Sequence, residues 1–278
     1  MYLEKILRRF RIDECKGCAT PMDVKTKLHT RREGEEAAEK VLYQEAVGSL
    51  TYAAITTCPD IAYATGLVGR FGADPSMSHW AAVKRIFRYL KDSLGLRICL
   101  GRSNDRGFGG RERGSKGKKA PITVYADADF AGEVDGMRST TGFVILDRYG
   151  AIVHWKSQRQ KTVAKSTADA EFNATALAVE EGIWLAKLQA DLYGDIENIV
   201  PISVFNDNQA CIASLTNGQF RASTRHVGVR YFWLRELVRE GEVTIEYLRT
   251  DEMIADGLTK GLERGKHQGF TRMLSMMS

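Results

Sequence analysis

The sequence predicts an α/β protein in which a mixed five-stranded sheet with flanking helices follows a smaller, mainly helical unit. Apolar residues in the first hundred positions recur every three or four residues, as they do in amphipathic helices. After residue 120, short strand-like runs take over, with one long helical segment among them. A glycine-rich stretch at 102–119 separates the two patterns. The chain of 278 residues, 44% of them hydrophobic, can bury a core on each side of that stretch.

The helical unit is predicted to contain at least three helices. The first covers 41–56, where apolar positions form a wide stripe. Pro59 and Asp60 are typical of a helix start, and Pro75 follows the end of that second helix. A third helix is predicted from Ser78, with apolar residues at three- and four-residue spacing: Trp80, Val83, Phe87 and Leu90.

Positive charge is concentrated in two places. The segment 102–119 holds seven basic and two acidic residues, which accounts for the whole net charge of +5. Its composition predicts a flexible linker, which is either a solvated tether or an arm that contacts nucleic-acid phosphates through Lys116, Lys118 and Lys119. The polar side of the third helix is also basic, and it is either solvated or bound to a nucleic-acid backbone: Lys84, Arg85, Arg88 and Lys91.

The sequence argues against several classes of protein. No run approaches the roughly 18 apolar residues of a membrane-spanning helix, and the charged N-terminus is unlike a secretion signal. We therefore expect an intracellular protein, cytoplasmic or nuclear, that is not secreted and has no membrane partner. The pair Cys15 and Cys18 lacks the second ligand pair that a structural zinc site needs. Phosphate-binding loop, HExxH and GxSxG motifs are missing as well.

The C-terminal part is predicted to begin with three antiparallel strands. The first covers 121–130, and the next two, 143–146 and 152–155, flank a turn that contains Gly150. A long helix follows, with Ser166 as its N-cap and Asp169 as the partner in a weak capping box. One face of that helix is apolar: Phe172, Ala176, Val179, Ile183 and Ala186.

The remaining elements alternate between strand and helix. A strand over 199–207 is followed by helices over 208–218 and 224–240, and then by a strand over 243–248. Residues 251–260 are predicted to form a short helix, on which Glu252 and Asp256 share one face. This order predicts a mixed sheet that is covered by helices.

Four acidic residues on four different elements carry the candidate chemistry. Asp127 lies in the first strand and Glu171 near the start of the long helix, whereas Asp207 ends the fourth strand and Asp256 lies on the last helix. Taken singly, each has an ordinary explanation as a solvated carboxylate, and Asp207 also as a helix cap. Asp129 shares a strand face with Asp127, which is costly unless the two carboxylates meet cations or water.

The C-terminal part resembles the RNase H domain of copia-type LTR retrotransposon polyproteins. The matching runs keep one order over about 140 residues: Tyr125-Ala126-Asp127-Ala128-Asp129-Phe130-Ala131-Gly132, Arg138-Ser139-Thr140-Thr141-Gly142, Lys161-Thr162-Val163-Ala164, Ala170-Glu171-Phe172, Asp207-Asn208-Gln209-Ala210, Arg225-His226-Val227 with Arg230-Tyr231, and Ala255-Asp256-Gly257-Leu258-Thr259-Lys260. The resemblance implies an RNase H-like domain at 120–265, followed by a C-terminal tail at 266–278.

The N-terminal part resembles the same polyproteins in the region after the reverse-transcriptase palm. Its matching runs are Ala46-Val47-Gly48-Ser49-Leu50-Thr51-Tyr52, Pro59-Asp60-Ile61-Ala62-Tyr63, and His79-Trp80 with Arg88-Tyr89-Leu90. The resemblance implies that residues 1–101 are a thumb- or connection-like remnant of a reverse transcriptase. The polymerase palm itself has no counterpart, because no Tyr-x-Asp-Asp motif is present. We therefore expect no polymerase activity, unless another chain supplies the polymerase region.

The resemblance also implies a reaction and a set of site residues. The metal-binding carboxylates of the family fall on Asp127, Glu171, Asp207 and Asp256, which would hold two Mg²⁺ ions, with Mn²⁺ as an alternative. The implied reaction is hydrolysis of the RNA strand of an RNA–DNA hybrid. Arg138, His226 and Arg230 are candidate contacts to the hybrid, although His226 and Arg230 equally fit helix packing.

Three departures from the family pattern accompany the match. Phe130 stands where Trp is usual, Cys58 stands where Arg is usual, and the segment 102–119 is longer and more basic than the usual connection. Two alternatives therefore stay open beside the nuclease: a catalytically silent remnant that only binds nucleic acid, and a different nuclease or integrase on the same fold class. If the linker binds the hybrid, its deletion should weaken binding.

Overall fold

The structure is a computed structural model that describes residues 2–100, 122–193, 201–217 and 228–277. The predicted linker with Lys116, Lys118 and Lys119 lies outside the described residues, and so does His226. Within the described residues, no helix has both the length and the apolar character needed to cross a membrane.

The predicted helices of the N-terminal part are confirmed. After helix α1 (Tyr2–Arg9), which was not predicted, they are α2 (Lys40–Thr56), α3 (Ala62–Gly69) with a 3₁₀ helix (Pro59–Ile61) before it, and α4 (Met77–Asp92). Helix α4 begins slightly earlier than predicted, because Ser76 rather than Ser78 is its N-cap. His79 completes a capping box: its Nδ1 accepts the backbone N–H of Ser76 at 2.9 Å, and its Nε2 lies 2.9 Å from the carbonyl of His29.

The basic face of α4 holds a neighbouring loop in place. Arg88 donates to the carbonyl of Lys16 at 2.6 Å, and Lys91 donates to the carbonyl of Cys15. Arg85 donates to the Thr20 hydroxyl at 2.9 Å. Three of the four predicted basic residues therefore bind the loop at 15–20, which is neither of the two roles that the sequence suggested. On the opposite face of the helix, Val83, Phe87 and Leu90 are buried as predicted.

The C-terminal part forms the predicted mixed five-stranded sheet. Its strands are β2 (Ile122–Asp129), β3 (Thr140–Asp147), β4 (Ile152–Arg159), β5 (Ile202–Asn206) and β6 (Val243–Tyr247), in the order β4-β3-β2-β5-β6. Strands β2, β3 and β4 are antiparallel neighbours, whereas β5 runs parallel to both β2 and β6. This order and these directions make the fold RNase H-like, so the predicted fold class is confirmed.

Helices cover one face of the sheet, and shorter segments cover the other. As predicted, helix α5 (Thr167–Tyr193) follows β4, and helices α6 (Gln209–Asn217) and α7 (Gly228–Glu240) both come between β5 and β6. Val124 and Ala126 of β2 share a buried cluster with Val179 of α5 and Leu234 of α7. Tyr125 points to the other face and joins the cluster formed by residues 253–276. The two-residue period of β2 therefore places alternate residues in two separate cores.

The end of the chain differs from the sequence-based expectation. Residues 251–260, predicted as one helix, form two 3₁₀ helices, Thr250–Glu252 and Ile254–Leu258, with the extended residue Met253 between them. The prediction that Glu252 and Asp256 share one helix face was therefore wrong. The predicted tail contains most of helix α8 (Arg264–Met273) and strand β7 (Met276–Met277), because Phe270, Leu274 and Met276 are buried apolar residues.

The two parts of the chain are joined by specific contacts. Strand β7 pairs with β1 (Arg97–Ile98) of the helical unit. The indole N–H of Trp155 on β4 donates to the carbonyl of Ala54 at 2.8 Å, which satisfies a carbonyl in the last turn of α2. Arg70, which follows α3, donates to the hydroxyl of Thr140 at the start of β3, at 3.1 Å. The helical unit therefore braces the sheet next to the strand ends that carry the acidic residues.

Candidate metal centre

Three of the four predicted carboxylates meet at one end of the sheet. Asp127 comes from β2, Glu171 from the second turn of α5, and Asp207 from the residue after β5. Each offers a carboxylate oxygen, and these oxygens lie within 4.8 Å of one another. We call these three residues the acidic cluster. They meet because β2 and β5 are parallel neighbours, so their carboxyl ends lie at the same edge of the sheet.

Burial and nearby carboxylates disfavour the charged forms of Asp127 and Glu171. Asp127 and Glu171 are buried, with 6% and 3% of their surface exposed. Burial raises the pKa of Asp127, and the nearby carboxylates of Asp256 and Asp207 raise it further. Burial also raises the pKa of Glu171, with Asp127 as the second cause. A divalent cation is the usual way to keep such carboxylates ionised, so the cluster is compatible with metal binding.

Hydrogen bonds fix the orientation of each carboxylate. The Thr259 hydroxyl donates to Asp127 Oδ2, and the Thr250 hydroxyl donates to Asp207 Oδ2 at 2.7 Å. The amide of Asn206 donates to Glu171 Oε2 at 3.1 Å. Such outer partners set the direction of ligand oxygens before a metal arrives.

Asn206 was missed by the sequence reasoning, although a signal for it exists. It lies in β5, on the same side as Ile202 and Val204, and all three are buried. A polar residue in a buried position of the two-residue strand period needs a hydrogen-bond partner, so that period could have identified Asn206.

Asp256 lies beside the acidic cluster but outside the group of three. Its Oδ1 forms an ion pair with Lys260 Nζ, and its charge contributes to the raised pKa of Asp127. Gly142 on β3 leaves room for the residues on either side of Asp256. A Cβ at position 142 would lie 2.9 Å from the carbonyl of Ala255 and 2.8 Å from Leu258 Cβ. The segment that carries Asp256 therefore packs directly against the backbone of β3.

The other predicted site residues stand apart from the cluster. Arg138 is half-buried in the turn that follows β2, where its carbonyl accepts the N–H of Glu133 at 3.3 Å. Arg230 on α7 pairs with Glu180 of α5 at 3.6 Å, which favours the helix-packing alternative. Asp129 and Glu252, which the sequence reasoning did not count as principal ligands, lie outside the group of three.

Sequence comparison finds relatives that match the chain over its whole length. The chain is 37% identical over 282 aligned residues to the retrovirus-related Pol polyprotein from transposon TNT 1-94 of Nicotiana tabacum, covering 100% of this chain and 20% of that protein. It is 30% identical over 276 residues to the Pol polyprotein from transposon RE2 of Arabidopsis thaliana, covering 99% of this chain and 18% of that protein. Over its whole length, the chain is therefore similar to one segment of the copia-type retrovirus-related Pol polyproteins.

The whole chain matches only a small part of each Pol polyprotein. This chain spans about a fifth of the length of the relatives named above. No protein-family model matches the chain. The N-terminal RNase H domain of a Mycobacterium tuberculosis protein aligns with 54% of this chain and 96% of that structure, at 11% identity and a TM-score of 0.38. The fold assignment therefore rests on strand order and direction.

Proposed function

We propose that this Pol polyprotein segment is an RNase H-type endonuclease that hydrolyses the RNA strand of RNA–DNA hybrids. The observation that carries the proposal is the convergence of Asp127, Glu171 and Asp207, from three separate elements, at one edge of the sheet. The similarity to Pol polyproteins and the RNase H-like strand order support the same function. Burying Asp127 and Glu171 beside a third carboxylate without a purpose would be costly, which favours a functional centre over a solvated acidic patch.

The donor set fits a hard divalent cation. All the candidate ligands are carboxylate oxygens, and we propose Mg²⁺, with Mn²⁺ as an alternative. The acidic cluster would hold one ion, and Asp127 with Asp256 would hold a second. When bound, the ions would neutralise charge on the scissile phosphate and lower the pKa of a water molecule at that position.

The chain itself contributes orientation and burial. Thr259, Asn206 and Thr250 hold the oxygens of Asp127, Glu171 and Asp207 in fixed directions. In the proposed reaction a water oxygen bonds to phosphorus while the bond from phosphorus to the 3′ oxygen breaks. One product then carries a 5′ phosphate and the other a 3′ hydroxyl that takes up a proton.

The proposed partner is the hybrid itself, which the protein would recognise through its backbone and its 2′-hydroxyl groups. Arg138 and Arg230 remain candidate phosphate contacts, together with His226, Lys116, Lys118 and Lys119. A polymerase region, in the rest of the polyprotein or in another chain, is a further proposed partner, because this segment covers about a fifth of its relatives.

The test is cleavage of an end-labelled RNA–DNA hybrid in Mg²⁺ by the unmutated chain and by Asp127→Asn. We expect Asp127→Asn to lower the rate at least about a hundredfold, because it removes a carboxylate from the centre of the site. Asp191→Asn, at an exposed position on α5, is the matched control and should cleave like the unmutated chain. Circular dichroism checks that all three proteins are folded.

Two outcomes would contradict the proposal. If the folded, unmutated chain leaves the hybrid intact, the chain is a silent remnant, whatever nucleic acid it binds. If it cleaves duplex DNA in preference to the hybrid, it is a different nuclease on the same fold class.

A further inference from the structure

Lys260 lies next to Asp256, beside the acidic cluster. Lys260 Nζ forms an ion pair with Asp256 Oδ1, and its charge also acts on Asp127 and Asp129. The side chain of Asp256 is 16% exposed, whereas that of Lys260 is 45% exposed. The carboxylate is therefore largely removed from water and depends on a cation, while the lysine keeps a free path to solvent.

The backbone around this ion pair is fixed. Thr259, which precedes Lys260, is fully buried and donates its hydroxyl to Asp127. The carbonyl of Ala255, which precedes Asp256, lies against Gly142 of β3. The two charged residues thus keep their places in the site, and the flexible four-carbon side chain of Lys260 is the part that can move.

The ammonium group of Lys260 binds a carboxylate that the proposed function assigns to the second metal ion. Asp127 belongs to the acidic cluster, and the charges of both Asp256 and Lys260 act on it. A divalent ion shared by Asp127 and Asp256 would need the Asp256 oxygen that Lys260 now binds. Two cations cannot occupy that position together, because like charges repel strongly at contact distance.

We propose that the ammonium group of Lys260 occupies the second metal position and must leave it before the second ion binds. This inference rests on the proposed function of the same site. Lys260 is then a positioning residue: it neutralises Asp256 while the acidic cluster holds a single ion, and it sets the metal concentration at which the second ion enters. Lys260 can leave into solvent because its side chain is 45% exposed, and the incoming ion then neutralises Asp256 in its place.

The experiment counts and titrates Mn²⁺ ions bound to the full chain without nucleic acid, by calorimetry and by electron paramagnetic resonance of free Mn²⁺. In Lys260→Met we expect the second ion to bind about fivefold more tightly than in the unmutated chain, which corresponds to loss of one weak ion pair. The affinity for the first ion should change less. Lys260→Arg keeps the charge and should leave the second ion as weakly bound as before.

Two further variants separate competition from a general charge effect. Arg70→Met removes a cation whose charge acts on Asp129 and which pairs with the Thr140 hydroxyl rather than with Asp256, so it should not favour the second ion selectively. In an Asp256→Asn background the second site is gone, and Lys260→Met should then have no further effect. Thermal unfolding checks that every variant is folded.

The outcomes distinguish this inference from the function on which it rests. If Lys260→Met binds the second ion no more tightly, or if Arg70→Met has an equal effect, the competition is disproved. If Asp127→Asn leaves Mn²⁺ binding unchanged, the proposed metal centre itself is wrong. Loss of binding in Asp127→Asn together with no effect of Lys260→Met overturns only the role of Lys260.

Discussion

At the residue scale, a buried carboxylate outside the acidic cluster joins two motifs of the helical unit. Asp60, in the run that starts at Pro59, is 4% exposed, and its Oδ2 accepts the hydroxyl of Tyr89 on α4 at 2.5 Å. Burial raises the pKa of Asp60 to about 6, and the hydrogen bond from Tyr89 only partly opposes this. The resemblance pointed to both motifs without indicating that their side chains meet.

The raised pKa makes stability depend on pH. An unfolded aspartate has a pKa of about 3.9, so between pH ~4 and ~6 the folded state binds more protons than the unfolded state. The contribution of Asp60 to stability is therefore greatest below pH ~4 and is lost as the pH rises to ~6. Asp60→Asn keeps an oxygen for Tyr89. When the pH rises from 4.5 to 8, we expect its free energy of unfolding to increase by about 2 kcal/mol relative to that of the unmutated chain.

Urea unfolding at the two pH values measures this difference. Asp191→Asn, at an exposed position, is the control and should keep the same stability relative to the unmutated chain at both values. If Asp60→Asn changes the free energy of unfolding equally at pH 4.5 and at pH 8, burial does not raise the pKa of the Asp60 carboxyl group.

The residues of the candidate site were predictable in type but not in arrangement. The four carboxylates could be named from the family motifs, because motif runs keep their order along the chain. That three of them converge while Asp256 pairs with Lys260 could not be read from the chain, since ion pairs depend on packing across elements. Arg88 illustrates the same limit, because its partners are loop carbonyls 71 and 72 residues away.

At the element scale, the predicted helices and strands agree with the structure where apolar residues recur at regular spacing. Helices α2, α4 and α5 and the five sheet strands have regular apolar patterns, and their positions were predicted within a few residues. Residues 250–258 have no such pattern, and they form two 3₁₀ helices, of which the second packs against Gly142 of β3. Helix α8 was missed because its buried residues are few and its other positions are polar.

The contact between β3 and the segment that carries Asp256 gives an element-scale prediction. In Gly142→Ala, the new Cβ would lie 2.7 Å from Thr259 Cγ2 and 2.9 Å from the Ala255 carbonyl, so the whole segment has to shift. We expect a loss of about 1–3 kcal/mol in stability, typical of overpacking. Mn²⁺ binding should weaken as well, because Thr259 and Asp256 would move together.

Gly48→Ala on α2 is the matched control, since a Cβ there meets no atom within 4 Å. Thermal unfolding and Mn²⁺ titration compare the two variants. If Gly142→Ala is as stable as the unmutated chain and binds Mn²⁺ equally well, the close packing of this segment on β3 does not support the metal centre.

At the scale of the whole molecule, charge is divided unevenly between the linker and the rest. The segment 102–119 accounts for the whole net charge of +5, so the remainder of the chain is neutral. A neutral surface around an acidic cluster offers little general attraction for a polyanion. The linker is therefore the main sequence feature that could raise the affinity for a hybrid without contacting its bases.

Replacing the seven basic residues of 102–119 with serine, at unchanged length, tests this role. We expect weaker hybrid binding and a shallower dependence of the binding constant on salt, with each lost phosphate contact worth roughly 0.9 in the slope of log K against log salt. Fluorescence anisotropy at several salt concentrations measures both. Lys84→Ser, at an exposed position on α4, is the control for loss of one surface charge. An unchanged slope would leave the linker as a tether.

The pairing of β1 with β7 has a consequence for the order in which the molecule can be completed during synthesis. Arg97 and Ile98 leave the ribosome early, but their partners Met277 and Met276 are almost the last residues of this segment to be translated. Pairings between such distant residues form late, after the loop between them has closed. Strand β1 of the helical unit therefore stays unpaired until the whole nuclease-like domain has been translated. A translation product that ends before β7 would leave the edge of β1 exposed.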